Sequence, residues 1–156
     1  MKITKKQKEK YFKTVYDNIE KHGFHITSVL EEKDFTPFSY STGIYKNFKI
    51  PELIISGLGP NFSTELVNTY VEKYKFKEVP INEMIDSLTD RFSVFFVEVE
   101  NQNIKDYALS SVKYYENEDY KYLQLIFPDL NLKFPNEENY HYDQEIFGKL
   151  EFKVKI

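Results

Sequence analysis

The fold of this chain is decided by one stretch near its middle, residues 51–57, with the sequence PELIISG. Its central residues are apolar on both sides of the chain, which is typical of a strand buried on both faces of a sheet. In residues 60–74, which follow directly, apolar side chains recur at helical spacing. A helix with one apolar stripe must bury that stripe against a sheet, so the pair predicts a layered domain.

The remaining elements are predicted outward from this strand. Apolar residues three and four apart predict helices over residues 4–21 and 103–115, and shorter helical turns over residues 82–88 and after residue 143. Segments rich in β-branched and aromatic residues predict the other strands. These segments are residues 24–30, 35–45, 91–100 and 122–127, with an alternating tail at residues 152–156.

This order of elements predicts a single α+β domain over residues 1–156. Helices and strands interleave without strict alternation, which favours a mixed, largely antiparallel sheet of about five strands. Three main helices, at residues 4–21, 60–74 and 103–115, are expected to pack against it. The length of 156 residues is that of one domain.

Composition excludes several classes of protein. The chain has no cysteine, which excludes a disulfide scaffold, thiolate ligation of zinc or iron–sulfur clusters, and a cysteine nucleophile. The net charge of −4 argues against a nucleic-acid partner. No apolar run approaches the roughly 20 residues that span a bilayer, so we expect a cytoplasmic protein with no membrane partner. The three histidines form no metal motif, and no metal or cofactor is predicted.

Several fragments stand in a distinctive order. Residues 38–44 (FSYSTGI) precede residues 51–58 (PELIISGL), and residues 123–129 (LQLIFPD) precede Phe134-Pro135. Together with residues 22–24 (HGF), they resemble the bacterial domain-of-unknown-function family 4262. The resemblance implies membership of a family without a known reaction, so it names no function.

The resemblance extends from about residue 19 to residue 150, with three departures from the family pattern. Ile50 stands where the family has a histidine, Leu132 lies near an expected glycine, and Asn136 replaces a tryptophan. No role of that histidine or tryptophan is carried over to this chain.

The polar side chains of these fragments form the candidate ligand site. Glu52 and Asp129 each follow a proline at a strand terminus, and Gln124 lies within an apolar run, where a buried amide needs partners. Those partners come either from a ligand or from a second element of the protein. The predicted ligand-binding residues are Tyr40, Thr42, Glu52, Arg91, Gln124 and Asp129.

Arg91 is included for its chemistry, because it is the only arginine among 21 basic residues. Its planar guanidinium binds carboxylate or phosphate with two parallel hydrogen bonds, which lysine cannot do. Two interpretations are open. One is an ion pair with a carboxylate such as Asp90, Glu52 or Asp129, and the other is contact with an anionic ligand.

The sequence therefore predicts a non-catalytic binding protein for a small anionic or nucleotide-like ligand, with a role in bacterial or phage conflict. One alternative is a protein-partner module, such as an immunity protein or inhibitor, that uses an acidic and tyrosine-rich surface. A second alternative is an uncharacterised hydrolase, although no nucleophile–base pair or metal set has usable spacing. No catalytic residue is assigned, and a homo-oligomer is left open.

Overall fold

The computed structural model describes residues 4–30 and 35–150, and these form five strands and five helices. The strands are β1 (His25–Val29), β2 (Phe38–Thr42), β3 (Glu52–Ser56), β4 (Phe95–Val99) and β5 (Tyr122–Ile126). The helices are α1 (Lys5–His22), α2 (Ile44–Phe48), α3 (Pro60–Tyr74), α4 (Asn101–Ile104) and α5 (Leu109–Tyr115).

The strands form one mixed sheet in the order β1-β2-β3-β5-β4. Only the central β3–β5 pair is parallel, and the other three pairs are antiparallel. The predicted α+β class, with a single domain and a largely antiparallel five-stranded sheet, is confirmed.

Both faces of the sheet are covered, as the apolar sequence of β3 predicts. All five residues of β3 are buried. Leu53 and Ile55 pack with Leu66 and Val67 of α3 on one face. On the other face, Ile54 belongs to a second apolar cluster that also holds Ile104, Ala108, Tyr122 and Phe147.

The first helix has well-defined ends. Thr4 and Gln7 form a reciprocal capping box at its start. At its end, Gly23 has a φ of 92° and donates its backbone N–H to Ile19, which is the left-handed cap that the sequence predicts. The predicted helices at residues 4–21 and 60–74 are both confirmed.

The predicted strand over residues 35–45 is wrong in its second half. The strand ends at Thr42, and Gly43 adopts a φ of 106° that turns the chain into α2. A side chain at Gly43 would lie 2.9 Å from the carbonyl oxygen of Gly23. The glycine therefore allows a turn that strand propensity alone could not predict.

Two predictions around β4, one helix and one strand boundary, are also wrong. Residues 82–88 form no helix, because Asn82 donates its backbone N–H to Phe96 and Ile85 pairs with Val94 instead. These bonds cover the outer edge of β4, which begins at Phe95 and not at residue 91. The apolar residues here are spaced as in a helix, but the backbone N–H groups form hydrogen bonds with the neighbouring strand segment instead of within a helix.

Two predictions near the end of the chain need similar correction. The predicted helix at residues 103–115 is divided into α4 and α5, since Ala108 has a non-helical backbone. No helical turn follows residue 143, because Gln124 binds the backbone N–H groups of Phe147 and Gly148. The tail at residues 152–156 lies outside the described residues.

No helix in the described part of the chain is both long and apolar enough to cross a membrane.

Gly57 and Gly59 give a matched test of backbone constraint after β3. Gly57 has a φ of 91°, and a Cβ there would lie 2.4 Å from the carbonyl oxygen of Asp143, whereas Gly59 has open space around it. We expect Gly57→Ala to lower the free energy of unfolding by about 2–4 kcal/mol. Gly59→Ala should change it by less than about 1 kcal/mol. Urea unfolding of both variants measures this, and equal effects would contradict the constraint.

Candidate functional site

Glu52 is fully buried at the start of β3, and its carboxylate is surrounded by hydrogen-bond donors. All of these groups donate, so the arrangement accommodates an ionised carboxylate. The donors are the hydroxyl of Ser41 (2.7 Å), the backbone N–H groups of Gly43 (2.9 Å), Ile44 (3.2 Å) and Tyr45 (3.1 Å), and the hydroxyl of Tyr115. One side chain thus fixes the turn after β2, the start of α2 and the end of α5.

Burial and the contact between the two groups shift the pKa values of both Glu52 and Tyr115. Burial raises the pKa of Glu52 above its ordinary value, although the donated hydrogen bonds oppose the shift. Burial also raises the pKa of Tyr115, and the neighbouring charge of Glu52 raises it further. Tyr115 therefore keeps its proton and acts as the donor.

Tyr40 and Thr42 join α5 to the sheet. The hydroxyl of Tyr40 accepts the backbone N–H of Ser110 at 3.0 Å, and Thr42 Oγ1 lies 2.7 Å from Ser111 Oγ. Ser111 Oγ also lies 2.7 Å from the hydroxyl of Tyr122. This buried hydroxyl network connects β2, β5 and α5.

Gln124 binds the segment that follows residue 144. Its Oε1 accepts backbone N–H groups from Phe147 (2.7 Å) and Gly148 (3.1 Å), and its Nε2 donates to the carbonyl of Glu145 (2.7 Å). The amide is fully buried and joins two elements of the protein.

The other two predicted residues lie beyond the far end of β5. Asp129 accepts backbone N–H groups from Asn131 (2.9 Å), Lys133 (2.9 Å) and His141 (2.8 Å). Arg91 is exposed, and its guanidinium carbon lies 4.2 Å from the ring centroid of Phe62. Within the described residues it forms no ion pair.

The structure therefore brings four of the six predicted residues to one face of the sheet and leaves two apart. Tyr40, Thr42, Glu52 and Gln124 share that face, since strand pairing places Tyr40 and Gln124 on either side of Ile54. The polar groups of these four residues are hydrogen-bonded to other parts of the protein. Direct contact between these residues and a ligand stays a prediction.

An open cleft of about 410 Å³ lies at the edge of the sheet where β3 and β5 begin and β4 ends. We call it the strand-end cleft. Its apolar surface comes from Pro51, Ile81, Val99 and Leu123. Tyr120 and Tyr122 add aromatic surface, and the polar lining residues are Asn82, Glu98, Glu100, Asn101, Lys121 and Lys149.

Two lining residues carry acceptors that are not satisfied. Asn82 Oδ1 and Asn101 Oδ1 are both buried and have no hydrogen-bond partner within residues 4–30 and 35–150. Asn101 Nδ2 donates to the carbonyl of Tyr120 at 2.8 Å, which fixes the orientation of that amide. Asn82 has a φ of 61°, a conformation that asparagine tolerates better than most residues.

The sequence did not identify these cleft residues. Asn82 lay in a segment with helical spacing, and Tyr120 and Lys121 stood at the start of a strand without any motif.

A larger groove of about 570 Å³ lies between α1 and α3. Two histidines, His22 and His25, line it. His25 is already bonded through both ring nitrogens, to Asn18 (2.9 Å) and Tyr11 (3.3 Å), and burial lowers its pKa. The described residues bring together no group of three or more side chains that could hold a metal ion. The strand-end cleft, with its unpartnered acceptors, is the better candidate site.

Comparison with protein families identifies the chain. The family described as a domain of unknown function, DUF4262, matches residues 18–141. The chain belongs to the DUF4262 family. No curated protein and no solved structure matches it.

In this DUF4262 protein, the fragments that carry the resemblance supply both the buried hydrogen bonds beside the cleft and part of the cleft lining. Glu52 in PELIISGL binds Gly43 in FSYSTGI, while Pro51 and Leu123 line the cleft itself. Leu132, near the position of an expected glycine, has a φ of 62°. A glycine adopts that left-handed backbone conformation without strain, whereas a leucine does not, and nothing in the structure explains the leucine at this position.

Glu52→Gln tests the carboxylate that holds α2 and α5. The substitution keeps the size of the side chain but points an amide N–H₂ at groups that themselves donate. We expect the free energy of unfolding to fall by about 2–4 kcal/mol, because buried donors lose their acceptor. Chemical denaturation measures the loss. Glu118→Gln, on an exposed residue, is the control, and an equally small effect in both would contradict the role of Glu52.

Asp129 gives a pH-dependent test. Burial favours the neutral acid, but the backbone N–H groups of Lys133, His141 and Asn131 outweigh it and lower the pKa of Asp129. A lowered pKa in the folded state stabilises the fold above the unfolded pKa, and this stabilisation is lost as pH falls through the folded pKa. We expect Asp129→Asn to lower the melting temperature at pH 7. The difference from the wild type should shrink below about pH 4, and a constant difference would contradict this.

Proposed function

We propose that this protein is a non-catalytic binding protein for a small, nucleotide-like anionic ligand that occupies the strand-end cleft. One observation carries the proposal. A single cleft of about 410 Å³ combines an apolar floor, two lysines, and two amide oxygens that have no hydrogen-bond partner in the described residues. Small-molecule sites are concave, largely apolar and supplied with a few convergent polar groups.

The aromatic wall of the cleft supports a planar ligand. The ring of Tyr120 stacks on Tyr115, with centroids 4.6 Å apart and an interplanar angle of 13°. Tyr115 is held in turn by Glu52. The buried carboxylate therefore preorganises an aromatic surface against which a base could lie.

The charged lining supports a ligand with a single phosphate. Lys121 and Lys149 favour an anion, whereas Glu98 and Glu100 oppose the accumulation of negative charge. A mononucleotide places one anionic group near the lysines, and a triphosphate would bring additional charge close to the carboxylates.

The lining side chains also support binding over catalysis. Among the described residues that line the cleft there is no histidine, serine or threonine, so no hydroxyl nucleophile stands beside an imidazole base. A cytoplasmic location and a role in bacterial or phage conflict belong to the proposal and stand on sequence composition alone.

A protein-partner module is the second candidate, and one surface favours it. Leu130 is 92% exposed and Leu132 is 66% exposed. Both lie in the turn whose backbone is held by Asp129. A rigid loop that presents two apolar side chains to solvent is a feature of interaction surfaces.

Titration calorimetry with AMP, GMP and CMP tests the ligand proposal. We expect at least one nucleotide to bind with a Kd below about 1 mM, and Lys121→Glu to weaken it about tenfold or more, since the charge near the phosphate is reversed.

Lys77→Glu is the matched control, because Lys77 is exposed and lies outside the cleft. It should leave the affinity nearly unchanged. The absence of binding by all three nucleotides, or equal weakening by both charge reversals, would contradict the proposal.

A further inference from the structure

We infer that the strand-end cleft selects a nucleotide whose base carries an exocyclic amino group. This inference rests on the proposed function and narrows the class of ligand. It comes from the lining of the cleft, which contains hydrogen-bond acceptors that no donor of the described residues satisfies.

The unsatisfied groups are both acceptors. Asn82 Oδ1 and Asn101 Oδ1 lack donors in the described part of the chain, and a buried carbonyl oxygen without a donor destabilises the protein. Native structures satisfy most such atoms, so two in the lining of one cleft require an explanation. A ligand amine supplies N–H donors, which are the groups that these oxygens lack.

The two amides differ in how they are held. Asn101 cannot simply exchange its oxygen and nitrogen, because its Nδ2 already donates to Tyr120. Asn82 is anchored through its backbone N–H, which donates to Phe96 at 2.8 Å. Both oxygens are covered by neighbouring atoms. The side-chain amide of Asn82, unlike that of Asn101, is not held by a hydrogen bond within the described residues, so rotation about its broad terminal torsion brings its oxygen to a ligand.

The other acceptors in the lining also favour a ligand that donates hydrogen bonds. Glu98 and Glu100 add carboxylate oxygens to the acceptors of the lining. A base with an amino group is complementary to this surface. A base that lacks the group leaves the amide oxygens unpaired, which a hydrogen-bonding site discriminates against strongly.

The test compares nucleotides that differ by one amino group. AMP is compared with purine riboside 5′-monophosphate, which lacks only the 6-amino group, and GMP with IMP, which lacks only the 2-amino group. In at least one pair we expect the amino-bearing nucleotide to bind about tenfold or more tightly by titration calorimetry.

Variants of Asn82 assign the selectivity to the cleft. Asn82→Gly removes the acceptor but keeps the left-handed backbone accessible, so the preference for the amino group should fall to about threefold or less. Asn82→Asp keeps an acceptor and should retain the preference. Asn139→Gly is the matched control, because Asn139 also has a positive φ, of 65°, and lies outside the cleft.

The outcomes separate this inference from the proposed function. Equal affinity within both pairs, with Lys121→Glu still weakening binding, would overturn the amino-group inference and leave a nucleotide site. A preference that survives in Asn82→Gly would also overturn it. If neither these four nucleotides nor CMP binds, the proposed function itself fails.

Discussion

The structure depends on one buried carboxylate. Glu52 has no cationic partner among its hydrogen-bond donors, and its stabilisation comes from three backbone N–H groups and two hydroxyls. Such an anion is costly to bury unless every oxygen lone pair is used, so the surrounding chain has little freedom to move. Through Tyr115 the same constraint reaches Tyr120 and hence the wall of the strand-end cleft.

Gln124 has an equivalent role on the neighbouring strand. Its amide fixes the segment that carries Lys149, while Tyr40 and Thr42 hold α5 on the same face. The polar residues of the sheet thus form a buried support, and the cleft lies beside them. Such an arrangement is common in binding sites. Residues that position a site need all their hydrogen bonds satisfied within the protein, whereas residues that bind a ligand keep donors or acceptors free for it.

The sequence predicts the sheet well because its strands are apolar on both faces, as in residues 52–56, and that pattern has few alternatives. It singles out the polar residues of the buried support by their unusual positions, but some of their partners lie far along the chain, 63 residues away for Tyr115 and Glu52 and 70 for Ser110 and Tyr40. The cleft residues were missed for a related reason. Asn82 and Asn101 are ordinary surface residues in the sequence, and only the pairing of residues 82–85 with β4 places them together.

The location of the strand-end cleft has one further consequence. It lies where the parallel strands β3 and β5 begin, whereas ligands of open parallel sheets usually bind at the carboxyl ends, near helix N-termini. A ligand in the proposed site would be recognised mainly by side chains, because the one helix that begins in the lining, α4, has only four residues. Such a site can diversify rapidly, because exchanging a few lining residues alters what is recognised while the scaffold below keeps its geometry.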